Sequence, residues 1–317
     1  MMKAIQYKAG KTGFGEGLVE AGRHNHNVIG LGADITTSVG MNFFAEAFPE
    51  RFFSMGIAEQ NCIGVAAGMA LAGKIPVFST YGVFAALRTA DHIRISLCYN
   101  NLRVVIGGAH AGISVGPDGA THQALEDIAV MRVLPNMTVI SPCDATQTRL
   151  ATIAAIEQVK GPVYLRFGRE PVPDFSSPDQ LFTIGKGEML RSGNDLTIIA
   201  TGHLVWESLL AAEKLAADGI SARVINLHTI KPVDEEIIVK AASETGLIIT
   251  AEEHQIIGGL GSTVAEIVTR HHPVPVGMVG MNDHFGESGR PEELITIYGL
   301  NAAGICTKAY QFLNKKL

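Results

Sequence analysis

Apolar residues in this chain follow two alternating rhythms. Short runs of Val, Ile and Phe, such as PVFSTY at 76–81 and VVIGG at 104–108, are separated by longer stretches whose apolar positions recur every three to four residues. The first rhythm suits strands covered on both faces, the second suits helices packed by one face, and their alternation predicts parallel sheets with crossover helices. Strands are expected at Asn27–Leu31, Phe52–Met55, Pro76–Thr80, Leu102–Gly107, Met137–Ser141 and Pro162–Phe167. Helices are expected between them at Gly13–Arg23, Ala58–Ala72, Val83–Leu97, Gln123–Arg132 and Ala145–Val159. After Phe167 the alternation lapses, and Pro171, Pro173 and Pro178 argue against a regular helix or a central strand, so a domain boundary is expected there. A smaller series follows, with strands at Leu196–Ala200, Ala222–Asn226, Leu247–Ala251 and Val274–Met278 and helices at Leu204–Asp218, Asp234–Ser243, Gly261–Arg270 and the C-terminal end. The expected fold class is α/β, as two doubly wound domains spanning residues 1–180 and 190–317.

Composition narrows the partners. Lys and Arg number 25 against 31 Asp and Glu, a net charge of −6, so no basic excess is available for a nucleic acid backbone. Apolar residues at 47% with 18% charged exclude a disordered chain. The longest uncharged apolar stretch, Cys62–Gly73, falls short of the roughly 20 residues that a membrane helix needs. Four scattered cysteines with no CxxC encode neither a zinc site nor a disulfide framework, and the first residues lack the apolar core of a signal peptide. A soluble, cytoplasmic protein is expected. Glycine stands out at 35 residues, which implies many tight turns or close backbone approaches.

In open parallel sheets ligands collect beyond the carboxyl ends of the strands, which directs attention to three loops. In MGIAEQN, residues 55–61, Glu59 falls in the first turn of a helix, where the helix dipole favours a carboxylate by about 0.3–1 kcal/mol. The small residues Gly64, Ala67, Gly68 and Ala72 behind it would let another helix approach closely, so a buried acid on an interface helix is the alternative. The second loop, GGAHAGISVGPDGATHQALED at 107–127, gathers His110, Asp118 and His122. A single histidine is more often a satisfied core or surface residue, but three polar groups in one glycine-rich loop after a strand point to a site. The run DGATH suggests a turn at Asp118-Gly119 and a cap at Thr121, with His122 entering a helix. The third loop, LRFGREPVP at 165–173, carries Arg166 and Arg169, which are either solvated or a phosphate clamp. GGLGS at 258–262 lacks the full dinucleotide fingerprint and reads as the start of a helix, and Glu252, Glu253 and His254 read as a polar strand end.

Taken in order, MGIAEQN, FSTYGVF, AHAGISVGPDGATHQALED, FGREPVP, EEHQIIGGLGSTVAE and HFGESGRPEELITIYGL resemble the C-terminal half of transketolase over nearly the whole chain. The resemblance implies a thiamine-diphosphate-binding pyrimidine domain followed by the smaller transketolase C-terminal domain. The implied activity is transfer of a two-carbon ketol unit from a ketose phosphate to an aldose phosphate. The family's GDG motif with its downstream asparagine, which holds Mg2+ and the diphosphate, has no counterpart here. The chain therefore resembles the C-terminal subunit of a split transketolase, whose separate N-terminal subunit would hold Mg2+ and pair with it as a dimer of heterodimers.

Under that resemblance, Glu59 matches the acid that hydrogen-bonds a ring nitrogen of the aminopyrimidine, and Tyr81 and Phe84 match aromatic residues of its pocket. The third aromatic of many members is Leu87 here, followed by Arg88. Asp34 matches a residue near the cofactor at the dimer interface. His110, Asp118 and His122 match residues that contact ketose hydroxyls and move protons. Arg169 and Ser38 match the phosphate clamp, with Lys11 where the family usually has arginine. The competing resemblances are 1-deoxyxylulose-5-phosphate synthase, whose loop reads DRAG where this chain has AHAG, and the beta subunit of a 2-oxo acid dehydrogenase, which lacks the DGATHQ run. An inert scaffold or binding subunit of the same fold is the non-enzymatic alternative.

Overall fold

A computed structural model describes residues 6–316, with side chains through residue 313. The chain opens with strand β1 (Gln6–Ala9) and helix α1 (Gly10–His24), then β2 (Val28–Gly32), α2 (Asn42–Ala47), β3 (Phe52–Ser54), α3 (Glu59–Leu71) and β4 (Ile75–Tyr81). The stretch expected as one helix from Val83 is instead a short α-helical turn, α4 (Ala90–His92), between two π-helical stretches, Phe84–Arg88 and Ile93–Tyr99. Then come β5 (Val105–Ala109), α5 (Asp127–Val133), β6 (Thr138–Ile140), α6 (Ala145–Gln158), β7 (Val163–Arg166) and β8 (Pro171–Asp174). The remainder is β9 (Glu188–Arg191), β10 (Leu196–Ala200), α7 (Leu204–Ala217), β11 (Ala222–Asn226), β12 (Thr229–Lys231), α8 (Glu235–Thr245), β13 (Ile248–Gln255), α9 (Leu260–His271), β14 (Val276–Met281), α10 (Pro291–Ile297) and α11 (Ala302–Lys316).

The first sheet has the order β12-β6-β7-β5-β4-β2-β3 and the second β14-β13-β10-β11-β9. All neighbours run parallel except the edge strands β12 and β9. Alternate strand residues face opposite helical layers. Val77, Val105, Val163 and Leu165 pack with Phe14 and Leu18 of α1 and Ala151 and Ala155 of α6. Phe78, Ile106 and Tyr164 pack with Ile63 of α3, Ile93, Leu97 and Ile128, a cluster that runs on into the second sheet's helices α8 and α9. The apolar runs are continuous because both faces are covered. The α1 and α6 backbones cross closely, since a Cβ at Gly13 would run into the Ala145 carbonyl oxygen and one at Gly17 would lie 2.6 Å from the Arg149 oxygen.

Two departures involve edge pairing. The proline-rich segment supplies β8, which pairs antiparallel with β1 as a separate two-stranded ribbon, a place where proline's missing N–H is tolerated. The later half of the chain lends β12 to the first sheet, so the two sheets are tied by more than one crossing. Among the described residues no helix is long and apolar enough to cross a membrane, and the four cysteines are free and buried.

Candidate functional site

Strands β2, β4, β5 and β7 end within two residues of one another, and the loops at their carboxyl ends carry most of the residues expected to act. Tyr81 closes β4 opposite Ala109 of β5, and His110 follows at once with a positive φ of 53°. The Tyr81 and His110 rings lie 4.3 Å apart, His122 is 5.8 Å from Tyr81 and 5.3 Å from Phe84, and Tyr81 and Phe84 are 6.1 Å apart. Four rings from three segments thus form one cluster. His122 is not in a helix as expected: the Gly119 turn accepts its N–H and α5 starts only at Asp127, while Thr121 bonds the His122 Nδ1 at 2.9 Å instead of capping.

His110 is 3% exposed, and its Nδ1 is buried without a hydrogen-bond partner among the described residues. Burial, then the positive charges of Arg169 and Lys11 and the neighbouring His122, push this imidazole down to about 3, so it is neutral at pH 7. The β1–β8 register explains how Lys11 arrives. Ala9 faces Pro171, so the start of α1 runs alongside the segment carrying Arg169, and a Cβ on Gly10 would sit 3.1 Å from that of Phe167. Arg169 and Asp118, expected in separate roles, are partners: Nη1 of Arg169 donates to the Asp118 carboxylate at 3.3 Å and to the Val115 carbonyl at 3.1 Å.

Glu59 opens α3 and is 4% exposed. Its two carboxylate oxygens accept from Nη1 of Arg88 at 2.9 and 3.0 Å, and the Arg88 guanidinium lies 4.3 Å over the Phe84 ring. In the sequence Arg88 stands out only as the neighbour of a missing aromatic. Asp34, at φ 69°, is exposed and Ser38 half-buried on the loop after β2. Gly40 of that loop packs on the Lys11 carbonyl. No described hydrogen bond or ion pair joins the Asp34 or Ser38 side chain to Arg169 or to the histidines.

Arg166, three residues before Arg169, has a different fate. It is buried, with Nε 2.8 Å from Asp127 Oδ2 and Nη2 donating to the carbonyls of Ala124 and Glu253. Glu252, Glu253 and His254 fall at the end of β13, the polar strand end expected, but they are buried there. The Glu252 carboxylate accepts the Leu260 and Gly261 amides at the start of α9 at 2.7 and 2.8 Å, and burial pushes it up to about 7. Burial would also raise Glu253, but His203 at 2.9 Å, Arg166 and the Ser114 amide at 2.6 Å outweigh it and hold this carboxyl below its usual range. Gly112, at φ 83°, presses on the Glu253 carboxylate, where any Cβ would clash. Beside this network a cavity of about 480 Å3 opens among Ser114, Asp144, Glu170, His203, Glu207 and Glu292; of the residues singled out in the post-strand loops only Arg166 lines it. The ring cluster lies instead at the carboxyl ends of the interior strands β4 and β5. Little in the sequence announces the buried network beyond three charged residues continuing an apolar run without a turn.

Comparison with known proteins agrees with this arrangement. Residues 6–174 match the family described as transketolase, pyrimidine binding domain, and residues 185–305 match transketolase, C-terminal domain. The chain is 45% identical to a putative transketolase C-terminal section of Methanocaldococcus jannaschii, over 98% of each chain. It is 40% identical to an apulose-4-phosphate transketolase subunit of Phocaeicola vulgatus, over 96% of this chain and 97% of that one. A solved structure described as a split gene transketolase, inactive beta4 tetramer, superposes with a TM-score of 0.91 at 49% identity, over 96% of this chain and 98% of that one. The chain belongs to the transketolase family, matching its C-terminal section of pyrimidine-binding and C-terminal domains as found in the C-terminal subunits of split transketolases.

Proposed function

We propose that this chain is the C-terminal subunit of a two-subunit, thiamine-diphosphate-dependent transketolase that moves a two-carbon ketol unit from a ketose phosphate to an aldose phosphate. The pyrimidine-binding family match supports the cofactor, and the observation that carries the reading is the buried Glu59 beside the Tyr81, Phe84, His110 and His122 cluster. The residues fit an aminopyrimidine. A nearly buried carboxylate, paired with Arg88 in this structure, can hold a ring-nitrogen proton once that pair opens, the Tyr81 and Phe84 rings can stack, and the Nδ1 of His110 is buried without a partner among the described residues. When bound, thiamine diphosphate supplies the carbon nucleophile and the electron sink for breaking the ketose C2–C3 bond.

In this reading Glu59 holds the pyrimidine nitrogen, Tyr81 and Phe84 flank its ring, and Asp34 lies near the cofactor where the partner meets this chain. Neutral His110 can donate from one ring nitrogen and accept at the other, which suits holding sugar hydroxyls, and His122 and Asp118 share that work. Arg169, Lys11 and Ser38 form the phosphate-binding group. Domain limits of 1–180 and 190–317 accompany this assignment. Mg2+ is assigned to the partner's diphosphate site. That partner is read as an N-terminal subunit docking as a dimer of heterodimers. The exposed apolar residues Ile57, Leu71, Leu87, Ile95 and Tyr99, with open space over Gly64 and Gly68 of α3, support a docking face there.

The test is reconstitution with a GDG-bearing N-terminal subunit, for which the neighbouring reading frame is the first place to look. Ketol transfer is expected only with both chains and magnesium. Glu59→Ala is expected to lower turnover of the pair at least about a hundredfold, the size typical of removing an acid or base group. Near-normal turnover at saturating cofactor, or full activity of this chain alone, would refute the assignment.

A further inference from the structure

We propose that Arg88 is an internal stand-in for the aminopyrimidine, occupying its place on Glu59 and Phe84 in the free subunit and leaving it when the cofactor binds. This rests on the reading of Glu59 given above and adds what that carboxylate does before any cofactor arrives. A guanidinium and an aminopyrimidine protonated on its ring nitrogen both present N–H groups to a carboxylate and a planar, electron-poor face to an aromatic ring. Arg88 already takes both. One guanidinium nitrogen reaches both Glu59 oxygens at 2.9 and 3.0 Å, and the group lies 4.3 Å over Phe84. Arg88 engages both oxygens of a carboxylate that is only 4% exposed, so a ring that reaches Glu59 has to displace the guanidinium.

The surroundings allow the exchange. The Arg88 side chain is 44% exposed, so it can swing to solvent, whereas Glu59 is buried in the first turn of α3. Arg88 ends the π-helical stretch Phe84–Arg88, and its carbonyl accepts from the Gln60 side chain at 3.2 Å, which ties its backbone to the turn that carries Glu59. Leu87, its neighbour, is exposed on the apolar face described above, so docking there reaches the residue that must move. The free subunit thereby avoids an unpaired buried carboxylate, and cofactor affinity is reduced by the need to displace a partner already in place.

The test is calorimetric binding of thiamine diphosphate, and separately of thiamine, to the full chain without its partner. Arg88→Ala and Arg88→Gln are expected to bind both probes at least about tenfold more tightly than the unaltered chain, the gain from removing one competing charge-assisted contact. Circular dichroism confirms that each variant is folded, and Gln keeps most of the stem if Ala does not. Glu59→Gln in the Arg88→Ala background should cancel the gain. Equal or weaker binding by both Arg88 variants, while Glu59→Gln still weakens binding, overturns the stand-in and leaves the cofactor reading intact. Indifference of binding to Glu59→Gln in either background overturns both.

Discussion

Replacing Asp127 with alanine should be among the most damaging single changes away from the ring cluster, because it removes the one carboxylate that contacts the buried Arg166 guanidinium among the described residues, leaving only the more distant charge of Glu253. The Asp127 and Arg166 side chains are 0% and 5% exposed, and their 2.8 Å contact is joined by a hydrogen bond from the Tyr164 hydroxyl, also 2.8 Å. His254 stands 3.9 Å from the other Asp127 oxygen, but burial pushes its imidazole down to about 4, so near pH 7 it lends no charge. Arg166 alone therefore balances Asp127. Removing one member of such a pair costs about 3–5 kcal/mol. With a urea dependence of about 3 kcal/mol per molar, the unfolding midpoint should fall by about 1 to 2 M, followed by circular dichroism. Asp127→Asn should lose less, since an amide oxygen still accepts from Tyr164 and Arg166. A double-mutant cycle with Arg166→Ala should return a coupling above about 1 kcal/mol. A midpoint for Asp127→Ala within about 0.3 M of the unaltered chain, or no coupling, would refute the argument that this charge is left without a close partner.

Two other expectations rest on the site. If Arg169 holds a substrate phosphate as proposed, that contact is equal in ground and transition states and worth about 1.5–3 kcal/mol, so Arg169→Ala in the reconstituted pair should raise KM for phosphorylated sugars roughly ten- to a hundredfold with kcat little changed; equal loss with unphosphorylated sugars would make Arg169 a brace for Asp118 instead. His110, His228 and His254 are held at about 3, 4 and 4, below the ordinary 6.5, so the unfolded chain binds more protons than the folded one from pH 6.5 down to about 4. These three side chains therefore lower stability on acidification through that window, against opposing contributions from Glu252, His203, Glu126, Asp144 and Glu188, whose values are raised, and urea midpoints that rise from about pH 7 to about pH 5 would show that the opposing groups dominate and contradict the expectation.

The central strands were legible because burial on both faces writes uninterrupted Val, Ile and Phe runs, as at Ile75–Tyr81 and Val105–Ala109. The missed strands are short edges. β8 begins with proline and β12 has three residues, and each exists because a distant partner, β1 or β6, pairs with it. The break of the Val83–Leu97 helix into π-helical stretches left no local mark either, for its sequence has neither proline nor glycine after Val83. The end of β5 was legible as a place for chemistry, since glycines and histidines there follow a buried strand. Its partners were not, because Lys11 arrives through the β1–β8 register, which no local pattern announces.

Arg166 and Arg169 show where such legibility stops. Both follow the same apolar run and both could be clamps, yet Arg166 belongs to the last residue of β7 and turns inward onto Asp127, while Arg169 lies past the strand and reaches the loop of Asp118. Three residues of chain decide between a buried brace and an accessible cation, and the decision is made by carbonyls of Ala124 and Glu253 more than forty residues away. The same bookkeeping of partners bears on the proposed activity. At the sheet edge Glu59 is taken by Arg88, Asp118 by Arg169 and His122 by Thr121, so the groups assigned to substrate and cofactor are largely satisfied within the subunit. Binding there exchanges hydrogen bonds instead of adding them, and the net affinity is the small difference between the two sets. The Nδ1 of His110 differs, being buried without a partner among the described residues. A ligand hydroxyl would gain a bond there without breaking one, but only after the ring or its cover shifts to let it in, so the cost of that movement is set against the bond.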